Sequence, residues 1–288
     1  MSILITGSEG FLGAQLIKIL ISKKKKFIGI SRKKKNLLSY KFIKVDLKEI
    51  DKIKIIIKKN KIKTLIHCAW HTDPKNFYNS KINFTNLKNS FKLLKLFKNC
   101  GGKKFVGIGT CAEHYFTDNN LIKYPTKSTY GKTKNELHNL VKNSGLKYNW
   151  FRLYWLFGEG DRQGRIFTEI SKNLKFNKIL KINHPHHLKD YMAINDVANI
   201  IYKIIFEKKK DGTFEICSGK GISNKKIVKI FSKIVGKPLK KFASFKKLTK
   251  NKNISKIIGD NSITKTMGLL KNYNVEKKLK INIKKNYL

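Results

Sequence analysis

The chain of 288 residues is long enough for one large or two unequal domains with cores of their own. No apolar run reaches the roughly 18 residues needed to cross a bilayer, and a first apolar run starting at residue 3 leaves no room for a secretory leader, so a cytoplasmic protein without a membrane partner is expected. The 64 Lys and Arg against 18 Asp and Glu give a formal charge of +46, which alone would suggest nucleic acid, but only Arg32, Arg152, Arg162 and Arg165 carry the guanidinium fork that specific phosphate and base recognition favours.

Residues 2–13, Ser-Ile-Leu-Ile-Thr-Gly-Ser-Glu-Gly-Phe-Leu-Gly, open the chain as a short buried strand that turns into a helix. Gly7, Gly10 and Gly13 recur every third residue across that junction, the pattern of a tight turn, a close approach to a pyrophosphate and a helix–strand contact. With the N–H groups of Phe11 and Leu12 at the helix start, they form a candidate dinucleotide cradle. Phe27–Ser31 reads as the second strand and ends at Arg32. An acid there would suit the ribose of NAD, whereas an arginine suits a 2′-phosphate, so NADP is the expected cofactor and NAD the alternative.

Phe42–Val45 reads as the third strand. Asp46 and Leu47 follow as adenine-side candidates, with a turn cap the equal alternative for Asp46. Then come a helix over Ile50–Ile57, a strand over Thr64–Cys68, a helix over Asn83–Phe97 and a strand over Lys104–Gly109. Residues 130–143 read as helix and Tyr148–Leu156 as strand. This alternation argues for an α/β fold with a doubly wound parallel sheet. Past residue 160 the pattern loosens into a helix over Arg165–Leu174, a polar stretch with three histidines, renewed strand and helix over Asp190–Ile205, a strand over Gly212–Ser218 and a tail helix over Lys226–Val235. Residues 1–160 with about 189–218 are assigned to the dinucleotide-binding domain, and about 161–188 with 219–288 to a smaller substrate domain. The lysine runs 23–26, 33–35 and 208–210 read as solvated turns. The four cysteines (68, 100, 111, 217) show neither zinc nor disulfide spacing, so reduced thiols and no metal are expected.

Strand five runs into Gly109-Thr110-Cys111-Ala112-Glu113-His114, and Tyr130 and Lys134 stand four apart on one face of the next helix. A free tyrosine, with a pKa of about 10, is a poor base at neutral pH. A neighbouring ammonium favours its phenolate and can hold a cofactor ribose, while the Thr110 hydroxyl can polarise a carbonyl.

Taken together, Thr-Gly-x-x-Gly-x-x-Gly, Thr110 and the Tyr130-Gly131-Lys132-x-Lys134 pattern resemble the extended short-chain dehydrogenase/reductase family, more narrowly its nucleotide-sugar epimerase/dehydratase group. Ile66-His67-Cys68-Ala69-Trp70, Asn83, Phe151–Gly160 and Lys189-Asp190-Tyr191 with Asn195–Ala198 extend the resemblance over nearly the whole chain. It implies a Rossmann-type sheet and a nucleotide-sugar substrate, with a homodimer expected. It makes Thr110, Tyr130 and Lys134 catalytic and adds Cys68, Ala69 and Trp70 to the cofactor contacts. Arg152, Arg162, Arg165 and Lys189 become candidates for the sugar diphosphate, and Cys111 and His114 secondary proton-transfer candidates. The chain departs from the family at Trp155, where relatives carry an asparagine. Cys111 and Ala112 stand where dehydratases of the family place acids, and Glu113 comes one residue late, which disfavours elimination of water. Reduction of a 4-keto sugar is therefore expected. The nearest alternative is an epimerase that retains NAD, and remoter ones are a non-catalytic dinucleotide sensor or an RNA-binding protein.

Overall fold

The computed structural model describes residues 2–34, 39–71, 77–116, 122–123, 126, 128–246 and 255–288. The chain divides into two compact units, Met1–Glu113 with Pro125–Leu153 and Ala198–Phe214, and His114–Tyr124 with Tyr154–Val197 and Glu215–Leu288.

The first unit alternates strand and helix: β1 (Ser2–Thr6), α1 (Phe11–Ser22), β2 (Phe27–Ser31), β3 (Phe42–Lys44), α2 (Ile50–Lys59), β4 (Ile62–His67), α3 (Ile82–Asn99) and β5 (Lys104–Thr110). A single 3₁₀ turn, Cys111–Glu113, follows β5. After a two-stranded hairpin that belongs to the second unit, β6 (Tyr115–Phe116) and β7 (Ile122–Lys123), come α4 (Thr129–Lys142) and β8 (Lys147–Leu153). Across the seven-stranded sheet the order is β12-β8-β5-β4-β1-β2-β3, with β12 at Gly212–Ile216. The pairings from β8 to β3 are all parallel. Parallel strands covered on both faces read as near-continuous apolar runs. Leu4, Ile28, Ile30, Leu65, Phe105 and Trp150 accordingly fill one core. β1 has β2 on one side and β4 on the other, so the strand order reverses there; open α/β sheets bind ligands beyond the carboxyl ends of the strands at such a point.

The second unit holds β9 (Trp155–Phe157), α5 (Ile166–Lys175), β10 (Leu180–Ile182), β11 (Leu188–Ala193), β13 (Gly221–Ser223), α7 (Asn224–Val235), β14 (Ala243–Phe245), β15 (Lys256–Ile257), α8 (Ser262–Thr266) and α9 (Val275–Asn286). α6 (Ile194–Tyr202) starts in it and runs on into residues of the first. Its core gathers Phe157, Phe167, Tyr191, Phe231 and Tyr287. The buried Asp190 accepts hydrogen bonds from the Ser218 N–H (2.7 Å), the Ser218 hydroxyl (2.6 Å) and the Gly219 N–H (2.8 Å).

The boundary between units differs from the one read in the sequence. Tyr148–Leu156 is two strands, because β8 joins the seven-stranded sheet while β9 pairs in parallel with β11. That pairing draws residues 154–160 and 189–197 into the second unit. Lys23–Lys26, Lys33, Lys34 and Lys208–Lys210 are exposed, and Lys35 lies outside the described residues. Among the described residues, no helix is long and apolar enough to cross a membrane.

Candidate active site

The glycine turn sits where β1 and β4 both end. Gly7 has φ +64°, and a Cβ on it would fall 2.8–2.9 Å from the Ala69 and Cys68 backbone. A Cβ on Gly13 would lie 2.2 Å from the Gly7 carbonyl. Only glycine lets these segments meet. Gly10 caps α1, and among the described residues a Cβ there would meet only the Gly7 oxygen, at 3.0 Å. No side chain caps α1 and no acid stands in its first turn, which suits an anion at that helix end.

A directed chain of hydrogen bonds fixes the two strand ends. Ser90 Oγ donates to the Asn86 carbonyl (2.7 Å), so it accepts from His67 Nε2–H (2.8 Å). His67 Nδ1 therefore accepts from the Thr6 hydroxyl (2.8 Å), whose oxygen accepts the Ala69 N–H (3.2 Å). Burial pushes the imidazole down to about 3, so it stays neutral and keeps this tautomer. His67 entered the sequence reading only as part of a family motif, and its polar neighbours lie far away in the chain.

The second cluster lies beyond β5. Thr110 is 8% exposed, and its hydroxyl accepts the Ala112 N–H (3.2 Å). α4 brings up Tyr130 and Lys134, and Gly131 permits its close approach, since a Cβ there would fall 1.9 Å from the Ala112 carbonyl. The Thr110 side chain is near enough to the Tyr130 phenol to pull its pKa down, but burial outweighs that influence and raises it. Lys134 Nζ donates to the Ile108 carbonyl (2.8 Å) and sits 3.8 Å from the centre of the Trp70 ring. Burial pushes the ammonium down to about 7. The lysine thus does not draw the phenol toward its phenolate as the helical spacing suggested, because desolvation acts against the charged form of both groups.

Trp70 connects the clusters. Its ring meets Tyr130 edge-on at 6.3 Å, and its indole N–H donates to Asn83 Oδ1 (3.0 Å). Cys68, two residues before it, is pushed up to about 12 by burial, so its thiol remains protonated. Cys111 is buried in the 3₁₀ turn.

Of the remaining candidates, Arg32 is exposed at the end of β2. Asp46 Oδ1 accepts the Lys48 N–H (2.9 Å), the turn-capping role, and Leu47 packs against the core. The expectation for Arg152 needs correction. Its Nε donates to the fully buried Glu113 (2.7 Å), and the side chain is 14% exposed, so the guanidinium is committed inside the first unit instead of being offered to a diphosphate. Arg162, Arg165, Lys189 and His114 all belong to the second unit. Arg162 is exposed, while Arg165 Nη1 bonds Asp161 (3.0 Å) and the Leu156 carbonyl (3.3 Å). Lys189 lies 5.0 Å from the Trp155 ring centre, and His114 Nδ1 is 3.5 Å from Glu215.

A family model described as the NAD dependent epimerase/dehydratase family matches residues 3–217. The chain belongs to this family. Its similarity to dTDP-6-deoxy-L-talose 4-dehydrogenase (NAD(+)) of Aggregatibacter actinomycetemcomitans is 27% identity over 250 residues, covering 80% of this chain and 89% of that protein. The fold matches that of a Thermotoga maritima UDP-glucose 4-epimerase solved with UDP-glucose, with TM-score 0.82 and 20% identity over 99% of this chain and 98% of that one. It also matches a Thermus thermophilus UDP-glucose 4-epimerase solved with NAD, with TM-score 0.84 and 14% identity over 99% of this chain and 98% of that one. Membership of the NAD dependent epimerase/dehydratase family makes the chain an enzyme with a Rossmann-type sheet, as the sequence pattern implied.

Proposed function

We propose that the protein transfers hydride between a nicotinamide dinucleotide and C4 of a nucleotide-linked sugar, working as a 4-keto reductase. One observation carries the reading: the Thr110 hydroxyl, the Tyr130 phenol and Lys134 converge beyond β5 in the unit that also holds the glycine turn. The glycine turn and the first turn of α1 would hold the dinucleotide's pyrophosphate, and Lys134 its ribose. The bound nicotinamide supplies the hydride. Tyr130 then gives its proton to the developing alkoxide, and the Thr110 hydroxyl hydrogen-bonds the same oxygen. A phenol held above its ordinary range is the protonated form that reduction consumes. The dehydrogenase named above acts, by its own name, at position 4 of a deoxysugar nucleotide, which supports the choice of carbon.

Arg32, exposed at the end of β2, supports NADPH as the reductant through a charge-assisted contact to its 2′-phosphate. The test is incubation with NADPH or NADH and a panel of nucleotide 4-keto sugars, followed by mass analysis of the products. The expected result is a product two mass units heavier, with one reduced cofactor consumed per turnover. The epimerase reading is favoured by the two structural matches, one of which was solved with NAD. Protein that purifies with bound NAD and interconverts epimers without added cofactor would replace the reductase reading.

A further inference from the structure

The end of β5 projects beyond its neighbour. β4 pairs with β5 only from Thr64 opposite Lys104 to His67 opposite Gly107, which leaves Ile108, Gly109 and Thr110 without that strand beside them. Ile108 and Thr110 are two apart, so their backbone groups turn to the same edge. Side chains take over there: Lys134 Nζ donates to the Ile108 carbonyl, and Glu113 Oε1 accepts the Thr110 N–H at 2.9 Å.

Glu113 is built in. Its carboxylate is fully buried, and it also accepts the Trp150 indole N–H (3.0 and 3.1 Å) and Arg152 Nε (2.7 Å). The glycines of β5 make the space. A Cβ on Gly107 would fall 2.2 Å from the Trp150 ring, and one on Gly109 would lie 2.3 Å from Trp150 Nε1 and 2.4 Å from Glu113 Oε1. Trp150 in turn stacks on His138 of α4, with ring centres 5.0 Å apart, and His138 Nε2 lies 2.8 Å from the Thr213 hydroxyl. Burial raises the carboxyl, while Arg152, the Thr110 N–H and Trp150 pull against it. A buried carboxylate with this many donors is costly to disturb, because removing it orphans each of them.

We propose that Glu113 is a positioning residue: it stands in for the missing strand neighbour and fixes the Thr110 backbone, so that the Thr110 hydroxyl is held against Tyr130. The proposal rests on the hydride-transfer reading for what that positioning serves. It also gives Gly-x-Gly in β5 and the acid three residues after Thr110 a single purpose.

The test compares the full-length protein with Glu113→Ala/Arg152→Ala and Glu113→Gln/Arg152→Gln. The first pair removes every acceptor, whereas the second keeps an amide oxygen for the Thr110 N–H and gives its NH₂ an acceptor at position 152. Amide hydrogen exchange, which needs no substrate, is expected to speed up at Thr110 by at least about tenfold in the Ala pair, with the first residues of β5 unchanged and protection regained in the Gln pair. With whichever nucleotide sugar the wild type converts, kcat is expected to fall about tenfold to a hundredfold in the Ala pair at nearly constant KM for the dinucleotide. It should return to within about threefold in the Gln pair. Unchanged exchange at Thr110 in the Ala pair, or wild-type kcat in that pair while folded, overturns the proposal. So does a Gln pair as slow as the Ala pair despite a wild-type melting temperature. If the wild type converts no nucleotide sugar, the hydride-transfer reading fails by itself, and the exchange data still decide the role of Glu113.

Discussion

Replacing Lys134 with methionine should stabilise the protein below neutral pH while destroying its activity. The side chain is 4% exposed, and burial pushes its ammonium from the ordinary value of about 10.4 down to about 7. At about 1.4 kcal/mol per tenfold, that depression is a penalty of roughly 5 kcal/mol on the charged form. The Trp70 ring, 3.8 Å from Nζ, offsets about 1–2 kcal/mol and the bond to the Ile108 carbonyl about 1 kcal/mol, leaving roughly 2 kcal/mol in favour of methionine. Below pH 7 the lysine is charged in both the folded and the unfolded chain, so the whole penalty is present. Between pH 7 and about 10.4 the unfolded chain binds a proton that the folded one lacks, so wild-type stability climbs with pH and the gap closes. Urea unfolding of both proteins from pH 6 to 10 measures this, since other titrations cancel in the difference. If Lys134 also holds the cofactor, saturating NAD or NADP moves the climb to higher pH. A difference that stays flat from pH 7 to 10, or a methionine variant less stable than wild type at pH 6, would refute the reasoning.

Tyr130→Phe removes the proton donor and keeps the ring, so turnover should drop by about 10²–10⁴ with dinucleotide affinity nearly intact, read by steady-state kinetics and cofactor titration. Gly7→Ala forces a Cβ against the Ala69 backbone at φ +64° and should abolish dinucleotide binding while lowering the melting temperature; an alanine variant that binds normally would remove the glycine turn from the site. Arg32→Ala should erase a preference for NADPH over NADH of at least about tenfold, the worth of one charge-assisted bond, in competitive turnover assays. Binding to RNA or DNA should be weak and collapse between low and physiological salt; sequence-dependent binding at physiological salt would reopen the nucleic-acid reading.

What was legible in the sequence was local. The glycine turn, the strand–helix alternation and the four-residue spacing of Tyr130 and Lys134 each depend on neighbours within a turn or two, and the structure reproduces them. What stayed hidden depends on partners far away in the chain. The assignment of Arg152 to a diphosphate overlooked Glu113, 39 residues earlier, because nothing local marks a buried ion pair. Tyr148–Leu156 read as one strand because an apolar run does not reveal a change of partner, and β9 leaves the sheet only by pairing with β11. Tyr130 and Lys134 share α4, as their spacing implied, but the depth of burial that dominates the electrostatics of both groups is a property of the whole fold and was not legible.

The position of the acid also bears on the class of reaction. Elimination of water requires a carboxyl that reaches the substrate and changes its protonation during the cycle. Glu113 is the nearest acid after Thr110, and both its oxygens are taken by Thr110, Trp150 and Arg152 inside the fold. Protonating it would leave Arg152, whose side chain is 14% exposed, without its counter-charge. Tyr130, by contrast, retains its proton, because burial raises its pKa. A carboxylate shut into the scaffold beside a phenol that keeps its proton supports the proposed hydride transfer with proton delivery to oxygen. On that proposal, the division of labour is an argument for reduction of a ketone over dehydration of a sugar.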